Sequence, residues 1–411
     1  MIGQHRTSGG ELGRGEPSGA SDLGGVRDLA QAVVPDDLAA PDGGAADGGA
    51  PGTGLFSTVM NAHALPSGYR PRSVAVGDVT GDGLDDAVVG ANFDPPYGLA
   101  VVVFAQTPAH TLAPPVVYAA GTGSYGSPNM LAIADLDGDG RLDVALTGPN
   151  DVRGLRQTAS GALGAPRTLM PVGIDADLLL VGGDFDDDGH PDLVTADYNG
   201  DVVDAWFQRE GLATAHTMPC VRHGADAIAV GDIDGDGRRD VVISSFIDSA
   251  VWVLLQGAGG FAPVQTISLS KDPPPDFVAA GDVDGDGRDE ILLVGGGSRA
   301  TGKYLDVLAR SSDGTFALQR SLDTGWYATG LVTADVNGDG RVDVLVQHSI
   351  NVGVYLQQPG GGLAGPEDLY QTRGAEQSGQ GPQLFAVGDL DGDGKADLAS
   401  VGERLWVVYH R

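Results

Sequence analysis

One nine-residue stretch recurs seven times along the chain, and its spacing constrains the fold more than any other feature. It reads DVTGDGLDD from Asp78, DLDGDGRLD from Asp135, DFDDDGHPD from Asp184 and DIDGDGRRD from Asp232. It returns as DVDGDGRDE from Asp282, DVNGDGRVD from Asp335 and DLDGDGKAD from Asp389. The leading aspartates stand 57, 49, 48, 50, 53 and 54 residues apart. A period of about 52 residues points to a stacked or circular array of one supersecondary unit.

So much like charge in nine residues repels itself unless a cation neutralises it. Oxygen donors fall at positions 1, 3, 5 and 9, a glycine at position 6 permits the bend, and position 7 can offer its carbonyl. The side-chain donors of the first three loops are Asp78, Thr80, Asp82 and Asp86; Asp135, Asp137, Asp139 and Asp143; and Asp184, Asp186, Asp188 and Asp192. The fourth and fifth loops supply Asp232, Asp234, Asp236 and Asp240, then Asp282, Asp284, Asp286 and Glu290. The last two supply Asp335, Asn337, Asp339 and Asp343, then Asp389, Asp391, Asp393 and Asp397. Arg141, His190, Arg238, Arg288, Arg341 and Lys395 occupy position 7 and bind through the backbone, so the His190 ring points away. Calcium accepts this crowded oxygen shell, whereas magnesium demands tighter octahedral geometry and zinc wants His or Cys. One calcium per loop, up to seven, is the expectation. An EF-hand starts the same way but needs a bidentate Glu at position 12. Here that position holds Leu146, Thr195 or Ser244.

Short apolar segments precede each loop (SVAVG, MLAIA, LLLVGG, AIAVG, FVAAG, GLVTA, LFAVG), as expected of buried inner strands. A second strand follows the loop, then an alternating third (LAVVVFAQ, AVWVLLQ, NVGVYLQ), then a Gly-rich turn and a fourth. Four antiparallel strands repeated seven times predict an all-β, seven-bladed β-propeller. Only two strands follow the seventh loop, and one spare strand, residues 54–62, precedes the first blade. Pairing the spare strand with the end of the chain closes the ring and removes open sheet edges.

On these loops the chain resembles the FG-GAP/VCBS repeat family, seen in integrin α-subunit propellers, bacterial surface proteins and a fungal propeller lectin. The likeness covers roughly residues 54–411. It implies a calcium loop between the first and second strands of each blade, on the face opposite the usual ligand face. Thr80, Asn337 and Glu290 depart from the common aspartate but keep an oxygen. Thr80 also removes a charge, so the first site is expected to be the weakest.

The net charge of −32 disfavours nucleic-acid binding, which needs a basic surface. Of the 56 acidic residues, 26 stand at loop ligand positions, so the acidity is mainly metal-site chemistry. Cys220 is alone and forms no internal disulfide; it reads as a small buried apolar residue. Residues 1–53, rich in Gly, Ala, Asp and Pro, read as a disordered spacer without the apolar run of a signal peptide. Loops of this kind work where calcium is millimolar, so a secreted or surface-attached protein is expected. No segment is apolar enough to insert in a membrane as a helix.

No HExxH or nucleophile-elbow pattern accompanies the eight histidines, and GTGSYG at residues 121–126 lies between strands, not ahead of a helix. Carboxylates committed to calcium make poor general acids or bases. A binding protein is therefore expected, not an enzyme; a polysaccharide lyase is the enzymatic alternative, with Arg222 and His223 as loose candidates. Binding should fall to the turns opposite the calcium loops, where Tyr97, Tyr125, Tyr198, Trp326 and Tyr327 offer aromatic faces suited to sugar stacking. The expected partner is a glycan, or alternatively an extracellular protein. Trp206, Trp252 and Trp406 fall in third strands and read as blade core.

Overall fold

A computed structural model describes residues 55–57, 60–93, 98–122, 130–171, 178–198, 200–219, 224–270, 274–295, 304–324, 328–348, 351–366, 369–371 and 384–411. The expected spacer, Cys220, Arg222, His223, Tyr97, Tyr125, Trp326 and Tyr327 lie outside these residues.

Seven four-stranded antiparallel sheets form a ring of blades, a seven-bladed β-propeller. Each blade runs from an inner strand at the axis to a fourth strand at the rim. In blade 2 these strands are Leu131–Ala134, Asp143–Thr147, Asp151–Leu155 and Arg167–Pro171. Inner strands touch their neighbours all the way round, and that of blade 1, Tyr69–Gly77, meets those of both blade 2 and blade 7. Among the described residues the sole helix is a 3-10 turn, Gln208–Glu210.

The sequence pattern follows this radial order. Inner and second strands are small and β-branched because both faces are covered by adjacent blades; Leu131–Ala134 and Asp143–Thr147 are buried throughout. Fourth strands meet water, and Phe316–Asp323 exposes most of its residues. The core is a circle of inter-blade seams, not one central ball. Val278, Ile291 and Leu308 of blade 5 pack with Val242, Val251 and Val253 of blade 4 on one side. Ala279, Leu292 and Leu305 turn to Leu331, Val344 and Tyr355 of blade 6 on the other. Each fully buried Val or Leu contributes about 1.5–3 kcal/mol, so every seam ties two blades together. Trp206 and Trp252 are buried in third strands as expected, whereas Trp406 is half-buried with Arg404 above its ring, 5.6 Å from the centroid.

Blade 7 is closed by the start of the chain. Asn61–His63 pairs with Leu405–Val408, which joins Asp397–Val401 and Phe385–Gly388. The contact extends outward through a Phe56–His410 bridge and a hydrogen bond from the Ser57 N–H to the Tyr409 carbonyl (2.8 Å). Phe56 is fully buried there. The expected closing strand, residues 54–62, thus pairs with the end of blade 7 at Leu55, Phe56 and Ser57 and again at Asn61–His63.

Candidate metal centre

Each acidic loop joins the first and second strands of its blade, so all seven lie on one face of the ring. The first aspartate folds its loop by accepting backbone N–H groups. Asp282 Oδ1 takes those of Gly285 (2.6 Å) and Asp286 (3.1 Å), and Oδ2 that of Gly287 (2.9 Å). Position 6 is a left-handed glycine in every loop, with φ of 85° at Gly140. Position 4 is a left-handed glycine in six loops, but Asp187 takes that conformation in the third at φ 62°. The strain is compensated across the blade boundary: Asp187 Oδ2 accepts from Arg238 Nε (2.6 Å) and Oδ1 from Gln256 Nε2 (3.1 Å).

The ninth position is the buried end of the site. Asp86, Asp143, Asp192, Asp240, Asp343 and Asp397 are fully buried, and Glu290 nearly so. Their carboxylates pin the loop to the end of the third strand. Asp240 Oδ2 accepts the Ile233 N–H (2.9 Å) and Oδ1 the Gln256 N–H (2.7 Å). Asp143 does the same with Leu136 (3.1 Å) and Gln157 (2.7 Å). Burial pushes the acids of loops 1, 2, 3, 4 and 6 up to about 7, reinforced by neighbouring carboxylates and opposed by these backbone donors. Glu290 and Asp397 are pushed up to about 8 for the same reason.

Three carboxylates converge in five loops, with one oxygen of each within 4.8 Å of the others: Asp135, Asp137, Asp143; Asp184, Asp186, Asp192; Asp232, Asp234, Asp240; Asp282, Asp284, Glu290; Asp389, Asp391, Asp397. These are positions 1, 3 and 9. Loops 1 and 6 carry Thr80 and Asn337 at position 3, so two carboxylates remain at those positions. Position 5 is turned toward position 7: Asp139 Oδ1 accepts the Arg141 N–H (3.0 Å), and Asp339 Oδ2 pairs with the Arg341 guanidinium (2.6 Å). The His190 N–H likewise donates to Asp188 (2.9 Å), and the His190 ring lies against Gly138 of the preceding loop.

This donor set fits a hard divalent cation. Asp137 Oδ1 and Asp234 Oδ1 are buried and accept no hydrogen bond, which is costly for a carboxylate without a counter-charge. A cation bound among oxygens would satisfy them and ionise the ninth-position acid. In blades 2 and 3 a guanidinium partly takes that role, Arg156 pairing with Asp137 (2.7 Å) and Arg209 with Asp186.

Sequence reasoning missed a glutamine at the end of the third strand, or two residues past it, in five blades: Gln106, Gln157, Gln208, Gln256 and Gln357. Its recurrence at the close of LAVVVFAQ, AVWVLLQ and NVGVYLQ was the available signal. On the opposite face, Tyr198 is 37 % exposed in the turn after Asp192–Asp197. Its carbonyl accepts the Gly224 N–H (2.8 Å). Ile247, 54 % exposed, stands beside Gly224 in the next blade.

Residues 135–195, 184–243 and 232–293 match the FG-GAP-like repeat, each match beginning on the first aspartate of a loop. Over 164 residues the chain is 31% identical to human integrin alpha-IIb, covering 33% of this chain and 15% of the integrin. The chain therefore spans a small part of that relative's length. An Agrocybe aegerita lectin, solved for its recognition of non-reducing terminal N-acetylglucosamine, aligns at TM-score 0.52 and 20% identity over 74% of this chain and 80% of its own. The WD40 domain of Toxoplasma gondii coronin aligns at TM-score 0.52 and 11% identity over 85% of each chain. These two structures share the fold. Residues 135–293 of this chain are thus FG-GAP-like repeats, and the three loops outside them, from Asp78, Asp335 and Asp389, continue the same nine-residue motif in the same blades.

Proposed function

We propose that the protein is a calcium-stabilised binding propeller that works outside the cell and takes a glycan on the face opposite its acidic loops. The observation that carries the calcium reading is the convergence of three carboxylates in five loops, with buried oxygens that lack any donor. Positions 1, 3, 5 and 9 would hold the ion with the position 7 carbonyl, and the bound ion supplies the positive charge that the loops lack. Loops of this kind fill at millimolar calcium, which supports a location outside the cytosol. The likeness to integrin alpha-IIb supports the same compartment.

Glycan recognition rests on the aromatic residues of the opposite turns, with Tyr198 exposed among them, and on the likeness to the lectin. Tyr97, Tyr125, Trp326 and Tyr327 are proposed with it. A second reading, adhesion to a protein partner, is favoured by the exposed Ile247 near Tyr198 and by the integrin likeness. Both readings are of binding, not catalysis. A glycan array probed with the full chain, with and without EGTA, separates them. Calcium-dependent binding to a defined class of glycan is expected. An empty array beside specific capture of an extracellular protein would replace the glycan reading with adhesion.

A further inference from the structure

The glutamine at the end of the third strand touches two loops at once. Its backbone N–H donates to the ninth-position carboxylate of its own blade, at 2.9 Å from Gln106 to Asp86 and 2.8 Å from Gln357 to Asp343. Its side chain crosses to the preceding blade. Nε2 of Gln106, Gln157, Gln208 and Gln357 donates to the first-position carbonyls of Asp389 (3.3 Å), Asp78 (3.3 Å), Asp135 (3.4 Å) and Asp282 (3.1 Å). Gln256 reaches the Asp187 carboxylate instead. In blade 5 the equivalent Arg310 stands 4.0 Å from Asp234 of the fourth loop. Gln357 also accepts the Val342 N–H (3.0 Å) at the eighth position of its own loop. The tip of the same hairpin adds a bond from the Gly362 N–H to the Val283 carbonyl of loop 5 (3.1 Å).

In four blades one side chain therefore links the buried acid of its own loop to the first residue of the loop before it. A cation drawn into loop 6 fixes Asp343 and with it Gln357, and Gln357 holds Asp282, the first residue of loop 5. From this we propose that these glutamines are positioning residues that couple the cation loops across the blade junctions they span, so that the two loops of such a junction load together and not independently. The proposal rests on the calcium reading above. Coupling between two sites is reciprocal, so disabling loop 5 must weaken loop 6.

A double-mutant cycle on the full chain tests this, read by hydrogen exchange of the peptide covering residues 335–343 during a calcium titration. Asp284→Asn disables loop 5 and should raise the calcium needed to half-protect loop 6 about fivefold. In a Gln357→Met background the same Asp284→Asn change should move that midpoint less than about twofold. A purely structural Gln357 would lower the melting temperature yet leave the fivefold effect intact, and that result overturns the coupling. If Gln357→Met does not fold, Gln106→Met with Asp391→Asn in loop 7, read at loop 1, repeats the cycle at another junction. Calcium-dependent protection that is additive in both cycles removes the coupling alone. No calcium-dependent protection in any loop removes the calcium reading and the coupling with it.

Discussion

The two faces of the ring obey different rules. On the loop face the same hydrogen bonds recur from blade to blade: first-position aspartate to backbone N–H groups, ninth-position acid to the end of the third strand, glutamine to the preceding loop. On the opposite face no two turns carry the same residues, from SSFIDS after one second strand to ADYNGD after another. Repetition marks where the ring is held together. Variation marks where the proposed ligand could be chosen without disturbing the scaffold, because loops carry function on elements that others keep rigid.

The largest perturbation of that contrast is removal of calcium. For a Kd near 10⁻⁴ M at millimolar calcium, linkage makes each loop worth about 1.4 kcal/mol and seven loops roughly 10 kcal/mol. Thermal unfolding in EGTA should show a large fall in midpoint; an unchanged midpoint would mean the loop face holds itself together without metal. The same melts give a pH test. Without metal the ninth-position acids hold protons up to about pH 7 to 8 when folded, but only to about 4 when unfolded. The folded state then binds more protons across that interval, so metal-free stability should be greatest below pH 4 and decline as pH rises toward 8. With calcium bound these acids must ionise, and the trend should reverse.

Next in size is a single acid. Asp240→Ala strips acceptors from the buried N–H groups of Ile233 and Gln256 and should cost about 3 kcal/mol in a denaturant titration. A loss below about 1 kcal/mol would show that water reaches the site and replaces the carboxylate. Smaller still is Arg209→Ala, which frees Asp186 from its guanidinium partner. The pair is partly exposed, so the gain should be about 1 kcal/mol, or fivefold tighter calcium in loop 3 by titration calorimetry. Weaker binding would instead make Arg209 part of the site. On the opposite face Ile247→Ser should change stability by less than about 0.5 kcal/mol. A larger loss would mean that this face too is structural.

Much of the loop face was legible before any coordinates. A nine-residue motif at near-constant spacing, with apolar segments before and after it, implies blades, and a spare N-terminal strand implies how the ring closes. The ninth position could be read as an acid, but not as one that sits fully buried on two backbone donors, because that depends on where the third strand ends. Nothing near Gln157 or Gln357 in the chain shows what their side chains bind; only the neighbouring blade supplies the carbonyl. The motif puts an oxygen donor at position 5, and in the structure Asp139 and Asp339 also engage the arginine two residues on. Local charge pairing at i and i+2 is strong in a turn and hard to weigh from residue types alone.

Asp187 divides the two kinds of information. The motif shows that it stands where six other loops have glycine, and hence that the backbone there must be left-handed. Why an aspartate is tolerated is decided by Arg238 and Gln256, which come from the next blade and meet its carboxylate only once the two blades pack. Period, strand order and donor types are properties of a short window of chain, so the sequence by itself determined them. Clasps between blades join residues some 50 to 80 positions apart, and only the tertiary structure decided which of them meet.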